Sequence, residues 1–299
     1  NKNIKIIAIP TRKGSCFMRK RNNFISVLTM FLAIGFVIIF SRPVKAAANG
    51  VILKANRTYA AYDVTGDGMK DKIRIRAANQ TDDEAYTSLT VSVNGKTACR
   101  LKNTRFYNVI ANIYTLKNGQ PFLYLYAPAD NGDGPVCALL KYTNGKFRKA
   151  LDFTEIMAGY GNHRIGEVTN LNGNKIVITE SIVSYSLGIN AINFTYKYVN
   201  GKFVPTSRYG SYKEIYSTDG SSRYFTVNSD LPAYARPGAT AVNTTLKAGS
   251  LTKIIKCALI SGKMYIQLEC DGEIYWIKAL ENPPIADNER QFMEVRYAG

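Results

Sequence analysis

Nine consecutive residues hold the arrangement best suited to binding chemistry: Asp63-Val64-Thr65-Gly66-Asp67-Gly68-Met69-Lys70-Asp71. Oxygen-bearing side chains stand at positions 1, 3, 5 and 9 of this run, and glycine stands at position 6. Hard cations such as calcium take oxygen ligands, and alternation along a curled loop points alternate side chains inward. Gly68 permits the sharp turn, and the backbone carbonyl of Met69 offers one more oxygen. The expected metal ligands are therefore Asp63, Thr65, Asp67, Met69 and Asp71, with Ca2+ in a structural role. Position 12 is Arg74 rather than a bidentate Glu, and a strand rather than a helix follows. The expected affinity is weak, ~10⁻⁴ to 10⁻³ M, as in extracellular modules. The competing reading is a solvated Asp-Gly turn, since both residues favour turns.

Little else in the chain suits catalysis. His163 is the single histidine, so any Ser–His–Asp or Cys–His arrangement would have to use it. No Gly-x-Ser-x-Gly elbow occurs. Asp130, Asp133, Asp152 and Glu155 are the acids from which a glycoside-hydrolysing pair would be drawn. Acids in loops are mostly solvated surface groups, so the chain reads as a non-enzyme. Cys99, Cys137, Cys257 and Cys270 follow the apolar N-terminal segment, and no Cys-x-x-Cys pair indicates zinc. Disulfides and small buried thiols are both open readings for these four.

Strands must position the Asp-rich run. Short period-two segments recur between Gly, Asn and Asp clusters, as in 72–76, 122–126, 194–198 and 264–268. Asn-Gly-Lys occurs at 94–96, 144–146 and 200–202, each time after an alternating segment. Asn-Gly between strands predicts a type I′ hairpin turn. A glycine-containing head precedes each hairpin: 63–71, 117–119 and 170–173. The three units share one order: head, strand, loop, strand, Asn-Gly turn, strand. Only the first head carries the oxygen pattern, because Tyr114 and Phe122, or Val168 and Ile176, replace the outer Asp residues in the others. Tyr124, Tyr126, Tyr196 and Tyr198 fall on single strand faces, where they serve as packing between sheets or as a sugar platform.

The Asp-rich head before a strand resembles the calcium loops of FG-GAP and VCBS-type repeats of integrin-like propellers, with Thr65 in place of the usual second Asp or Asn. The resemblance covers about residues 59–205. It implies propeller-like blades, of which three are fewer than a closed propeller contains. Residues 223–285 resemble a bacterial SH3-like domain through Leu231-Pro-Ala-Tyr234, Leu246-Lys-Ala-Gly249, Met264 to Glu269 and Asp271 to Ile277. The Asn-Val-Arg-x-Gly-Pro opening of that family is missing. Such domains often hold cell-wall peptides, which is what this second resemblance implies. Trp276 reads as the core aromatic of a small barrel.

The chain's start is an address. Met18-Arg19-Lys20-Arg21 precedes an apolar run, Phe24 to Phe40, and then Ala46-Ala47-Ala48. Basic, apolar and small-residue segments in that order make an export signal, with cleavage expected after Ala46 or Ala48 and an uncleaved anchor as the alternative. Nine of the 39 Lys and Arg lie in residues 1–50, which leaves 30 against 22 acids and about +8 for the rest. Scattered bases of that number suit an anionic surface rather than nucleic acid.

The expected architecture is all-β: residues 1–17 an upstream extension, 18–48 a signal peptide, 51–210 a propeller-like antiparallel repeat domain, 211–222 a linker, and 223–299 an SH3-like barrel. The expected function is a secreted or surface-associated binding protein whose partner is cell-wall peptide, glycan or surface protein. It binds no nucleic acid and touches membrane only through an uncleaved signal. The alternatives are an accessory subunit of a surface assembly and a glycan-active hydrolase.

Overall fold

The computed structural model describes residues 50–130, 133–220 and 223–297. The upstream extension and the signal segment lie outside the described residues. Among the described residues there is no α-helix, and none of the elements is a helix long and apolar enough to cross a membrane. The protein is all-β, and its paired strands run antiparallel.

Three meanders follow one another. The first is β2 (Thr58–Tyr62), β3 (Asp71–Gln80), β4 (Tyr86–Val93) and β5 (Lys96–Phe106). The second is β6 (Ile110–Thr115), β7 (Pro121–Ala127), β8 (Val136–Thr143) and β9 (Lys146–Asp152), extended at its edge by β1 (Gly50–Leu53), which pairs with β6. The third is β10 (Gly161–Asn172), β11 (Lys175–Ser184), β12 (Gly188–Val199) and β13 (Lys202–Pro205). In each unit an Asn-Gly turn joins the third strand to the fourth. Asn94, Asn144 and Asn200 all take φ near +50°, as the type I′ turn requires.

Residue alternation decides how the sheets pack. Along β3, Ile73, Ile75 and Ala77 are buried while Arg74 and Arg76 are exposed, so this sheet has one wet face. The second sheet is buried on both faces. Leu123, Leu125, Ala127, Ala138 and Leu140 pack against Ile73, Ile75, Leu89 and Val91 of the first unit. Phe122, Tyr124, Tyr126, Cys137 and Leu139 pack into a second cluster with Ile176, Ile178, Ile192 and Phe194 of the third. Phe122 lies 4.9 Å from both Tyr198 and Phe203, centroid to centroid. These rings are packing between sheets rather than an accessible platform.

The third sheet continues without a break. β14 (Tyr209–Ile215) pairs with β12 on one side and with β18 (Leu251–Ile260) on the other. β19 (Lys263–Cys270) and β20 (Glu273–Lys278) complete the run, β15 (Tyr224–Thr226) pairs with β18, and the nine-stranded sheet curls into a half-barrel. β16 (Leu231–Ala233) and β17 (Thr244–Leu246) form a separate ribbon. The linker expected over 211–222 is corrected in its first half: polar composition suggested a connector, but Tyr212 and Ile215 are buried and the backbone between them is strand. Cys137, Cys257 and Cys270 are buried, Cys99 is half-buried, and each of the four is a free thiol. Burial pushes the Cys137 and Cys257 thiols up to about 12.

Candidate functional site

The Asp-rich run connects β2 to β3. Gly66 and Gly68 take φ of +80° and +86°, the left-handed conformation that lets the chain curl around a side chain. The side chain at the centre is Asp63. Its carboxylate accepts the amides of Gly66 at 2.6 Å, Gly68 at 2.7 Å and Asp67 at 3.2 Å. Desolvation pushes the Asp63 carboxyl up, but hydrogen bonds from Gly68, Gly66, Asp67 and Thr65 together hold it below its ordinary value of 3.8.

Asp71 closes the loop from the other side. It is 1% exposed. One oxygen accepts the amides of Val64 and Thr65 at 2.7 and 2.9 Å. The other accepts Nδ2 of Asn94 at 2.6 Å, and Oδ1 of Asn94 in turn accepts the amide of Lys72 at 2.8 Å. The first Asn-Gly turn is thus tied to the base of the loop. That role of Asn94 was not evident from sequence, because the two other turn asparagines look identical and only the first unit folds its turn against an aspartate.

Between the two carboxylates sits the Thr65 hydroxyl, 3.3 Å from Asp63 Oδ1 and 3.2 Å from Asp71 Oδ1. It has one proton and two anionic acceptors, so one of the two contacts lacks a donor. Both oxygens also accept other donors, Asp63 Oδ1 the amides of Gly66 and Asp67 and Asp71 Oδ1 the Asn94 amide group. Asp63, Thr65 and Asp71 are the residues of the loop whose oxygens lie together and could hold a hard cation. Asp67 Oδ1 accepts the amide of Met69 at 2.8 Å, and Met69, expected to offer its carbonyl, is exposed. Among the described residues no three His, Cys, Asp or Glu side chains are grouped closely enough to hold a metal. With three converging protein oxygens, water would supply the rest of the shell of a six- to eight-coordinate ion.

A polar cleft of about 520 Å³ opens beside this loop. Its walls are Asp63 to Gly66 of the first unit, and the turn 118–121 and hairpin end 141–144 of the second. One backbone and one side-chain hydrogen bond link neighbouring units at this end: Lys117 N–H donates to Gly173 O at 3.1 Å, and Lys146 Nζ to Thr97 O at 3.2 Å.

The acids considered for hydrolysis do local structural work. Asp152 caps a 3₁₀ turn (Phe153–Glu155) through the Thr154 amide and hydroxyl and pairs with Lys149. Glu155 is exposed, and Asp130 and Asp133 belong to one turn, in which the Asp133 amide donates to Asp130 O at 3.2 Å. Comparison of the chain with known protein families, curated proteins and solved structures finds no match in any of the three.

Proposed function

We propose that the protein works on the outer side of the cytoplasmic membrane as a non-enzymatic binding protein of the cell surface, with cell-wall peptide, glycan or a surface protein as its partner. The observation that carries this reading is the polar cleft at the turn-bearing end, with the Asp63–Asp71 loop as one wall. The opposite wall, 118–121 and 141–144, belongs to the sheet that is buried on both faces, a rigid support, and loops on rigid supports are where recognition sits. The three meanders and their Asn-Gly turns support the propeller-like description of 51–210, and the β18–β20 meander with the Trp276 cluster supports the SH3-like description of 223–299. The export signal of residues 18–48 is the ground for the location.

Calcium belongs to the same proposal. It would sit among Asp63, Thr65 and Asp71, stiffening the wall of the cleft, with no part in a reaction. At calcium about ten times the dissociation constant, the gain is about 1.4 kcal/mol. That corresponds to a rise in melting temperature of roughly 3–6 °C for a chain of this size. The expected result is a higher melting temperature with millimolar calcium, reversed by chelator and abolished in Asp63→Ala. An unchanged melting temperature in the parent protein sinks the metal. Retention of the protein on purified peptidoglycan tests the partner; passage through it unretained removes the wall-binding version.

A further inference from the structure

The outer face of the nine-stranded sheet carries a row of residues paired strand to strand. Thr179 of β11 stands opposite Asn193 of β12, Asn193 opposite Ser211 of β14, Ser211 opposite Lys256 of β18, Lys256 opposite Gln267 of β19, and Gln267 opposite Trp276 of β20. The opposite face of the same strands is the hydrophobic core, with Ile178, Ile192, Tyr212 and Cys257. Thr179 and Trp276 at the two ends of the row are buried, Ser211 is exposed, and Asn193, Lys256 and Gln267 are half-buried, so the accessible part of the row is its polar middle. Its middle lies in a groove of about 310 Å³ lined by Asn193, Thr195, Thr206, Ser211, Tyr209 and Lys256. No acidic side chain lines the groove.

The cation at its end is held in place. Lys256 Nζ lies 4.7 Å from the centroid of the Tyr209 ring and 6.0 Å from that of Trp276, and these two rings lie 5.9 Å apart. The Arg208 guanidinium sits 5.1 Å from the Tyr209 ring as well. Cation–π contact fixes an ammonium without neutralising it. Among the described residues no ion pair engages Lys256. Its charge therefore faces a groove of hydroxyl and amide groups. Glu167, opposite Thr179, stands at the far end of the row, on the other side of Asn193 from Lys256. Strands lie about 4.8 Å apart, so the step from Asn193 to Lys256 spans roughly 10 Å, about two sugar rings.

We propose that this groove binds an acidic sugar chain across the strands, with Lys256 pairing a carboxylate and Asn193, Thr195, Thr206 and Ser211 bonding hydroxyls. The assignment rests on the reading of the protein as a surface binder and names the chemistry of one partner. Charge complementarity selects the acidic ligand, because a neutral one leaves the Lys256 charge unused. The row of small polar side chains selects a polyhydroxylated ligand.

Trp276 is the single tryptophan of the chain and adjoins Lys256, so its fluorescence reports this groove. Titrating the protein with short oligogalacturonate is expected to change that emission saturably, with an apparent affinity that falls as salt rises. Lys256→Gln is expected to weaken binding roughly tenfold or more, the effect of losing a charge-assisted bond. Lys256→Arg keeps binding within about threefold, since the charge remains. Lys263→Gln, at an exposed lysine away from the groove, leaves it unchanged. Equal melting temperatures for these variants and the parent exclude misfolding as the cause. The proposal is overturned by no saturable response, by equal binding of Lys256→Gln, or by equal or tighter binding of a neutral dextrin or of a phosphodiester polymer. Retention on peptidoglycan without any response to oligogalacturonate overturns the groove alone and leaves the broader function standing.

Discussion

Glu180 lies on the core face of β11 between Ile178 and Ile182, fully buried, and neither carboxylate oxygen has a hydrogen-bond partner. Burial pushes its carboxyl well above the usual 4.5; the Arg164 guanidinium opposes the shift and Asp152 adds to it. The folded protein thus keeps a proton that the unfolded chain releases above about pH 4.5. Above that value the unfolded state binds fewer protons, so stability falls with rising pH, by up to about 1.4 kcal/mol per unit, until the folded group itself ionises. Glu180→Gln removes this slope and raises the urea midpoint at neutral pH. Urea melts of both proteins from acid to mildly alkaline pH check it; parallel slopes would assign the dependence to other groups. Gly166, opposite Glu180 across the ladder, is needed for space: a Cβ there would lie 2.0 Å from the Phe153 ring and 2.3 Å from Glu180 Oε1. Gly166→Ala is expected to cost about 1–3 kcal/mol.

At the scale of the element, the first Asn-Gly turn differs from its two repeats. Asn94 adopts the same φ as Asn144 and Asn200 but adds hydrogen bonds to Asp71 and Lys72. Asn94→Ala is expected to destabilise the protein by roughly 1–3 kcal/mol more than Asn144→Ala, because it leaves buried Asp71 short of a donor. Matched denaturant curves decide this, and equal losses would reduce Asn94 to an ordinary turn residue. The second sheet makes a parallel test of packing. Phe122 and Leu123 are neighbours in sequence, 1% and 0% exposed, yet they point into different clusters. Phe122→Ala is expected to cost about 3–5 kcal/mol and Leu123→Ala about 2–5 kcal/mol. Since they serve separate cores, the double variant should be nearly additive.

The whole molecule is joined by β14 and by the C-terminal tail. β14 pairs with β12 and β18, Phe292 and Val295 belong to the cluster that holds Phe122 and Ile192, and the Gly188 backbone lies against Arg296. Residues 223–297 therefore share their core with the repeats. Made alone, that segment is expected to lack fixed tertiary structure, and residues 50–297 to unfold in one transition. Dispersed amide resonances from the isolated segment would contradict this. The composition of 211–222 could not reveal the joint, because a strand that is short and half-exposed reads like a connector.

Strand class, the three Asn-Gly turns and the Asp-rich head were legible because each depends on residues close in sequence: side-chain alternation, positive φ and carboxylates spaced along one loop. The order of elements in the repeat was legible for the same reason. Tertiary structure alone decided the rest. It buried the second sheet on both faces, brought Asn94 to the loop, placed an unpartnered Glu180 in the core and assembled the row from Thr179 to Trp276. Each of these joins residues from separate strands. Sheet order and register fix such neighbours, and neither is encoded in local periodicity. The Asp-rich loop therefore remains the feature most readable from sequence, and the fold places the Thr65 hydroxyl between Asp63 and Asp71.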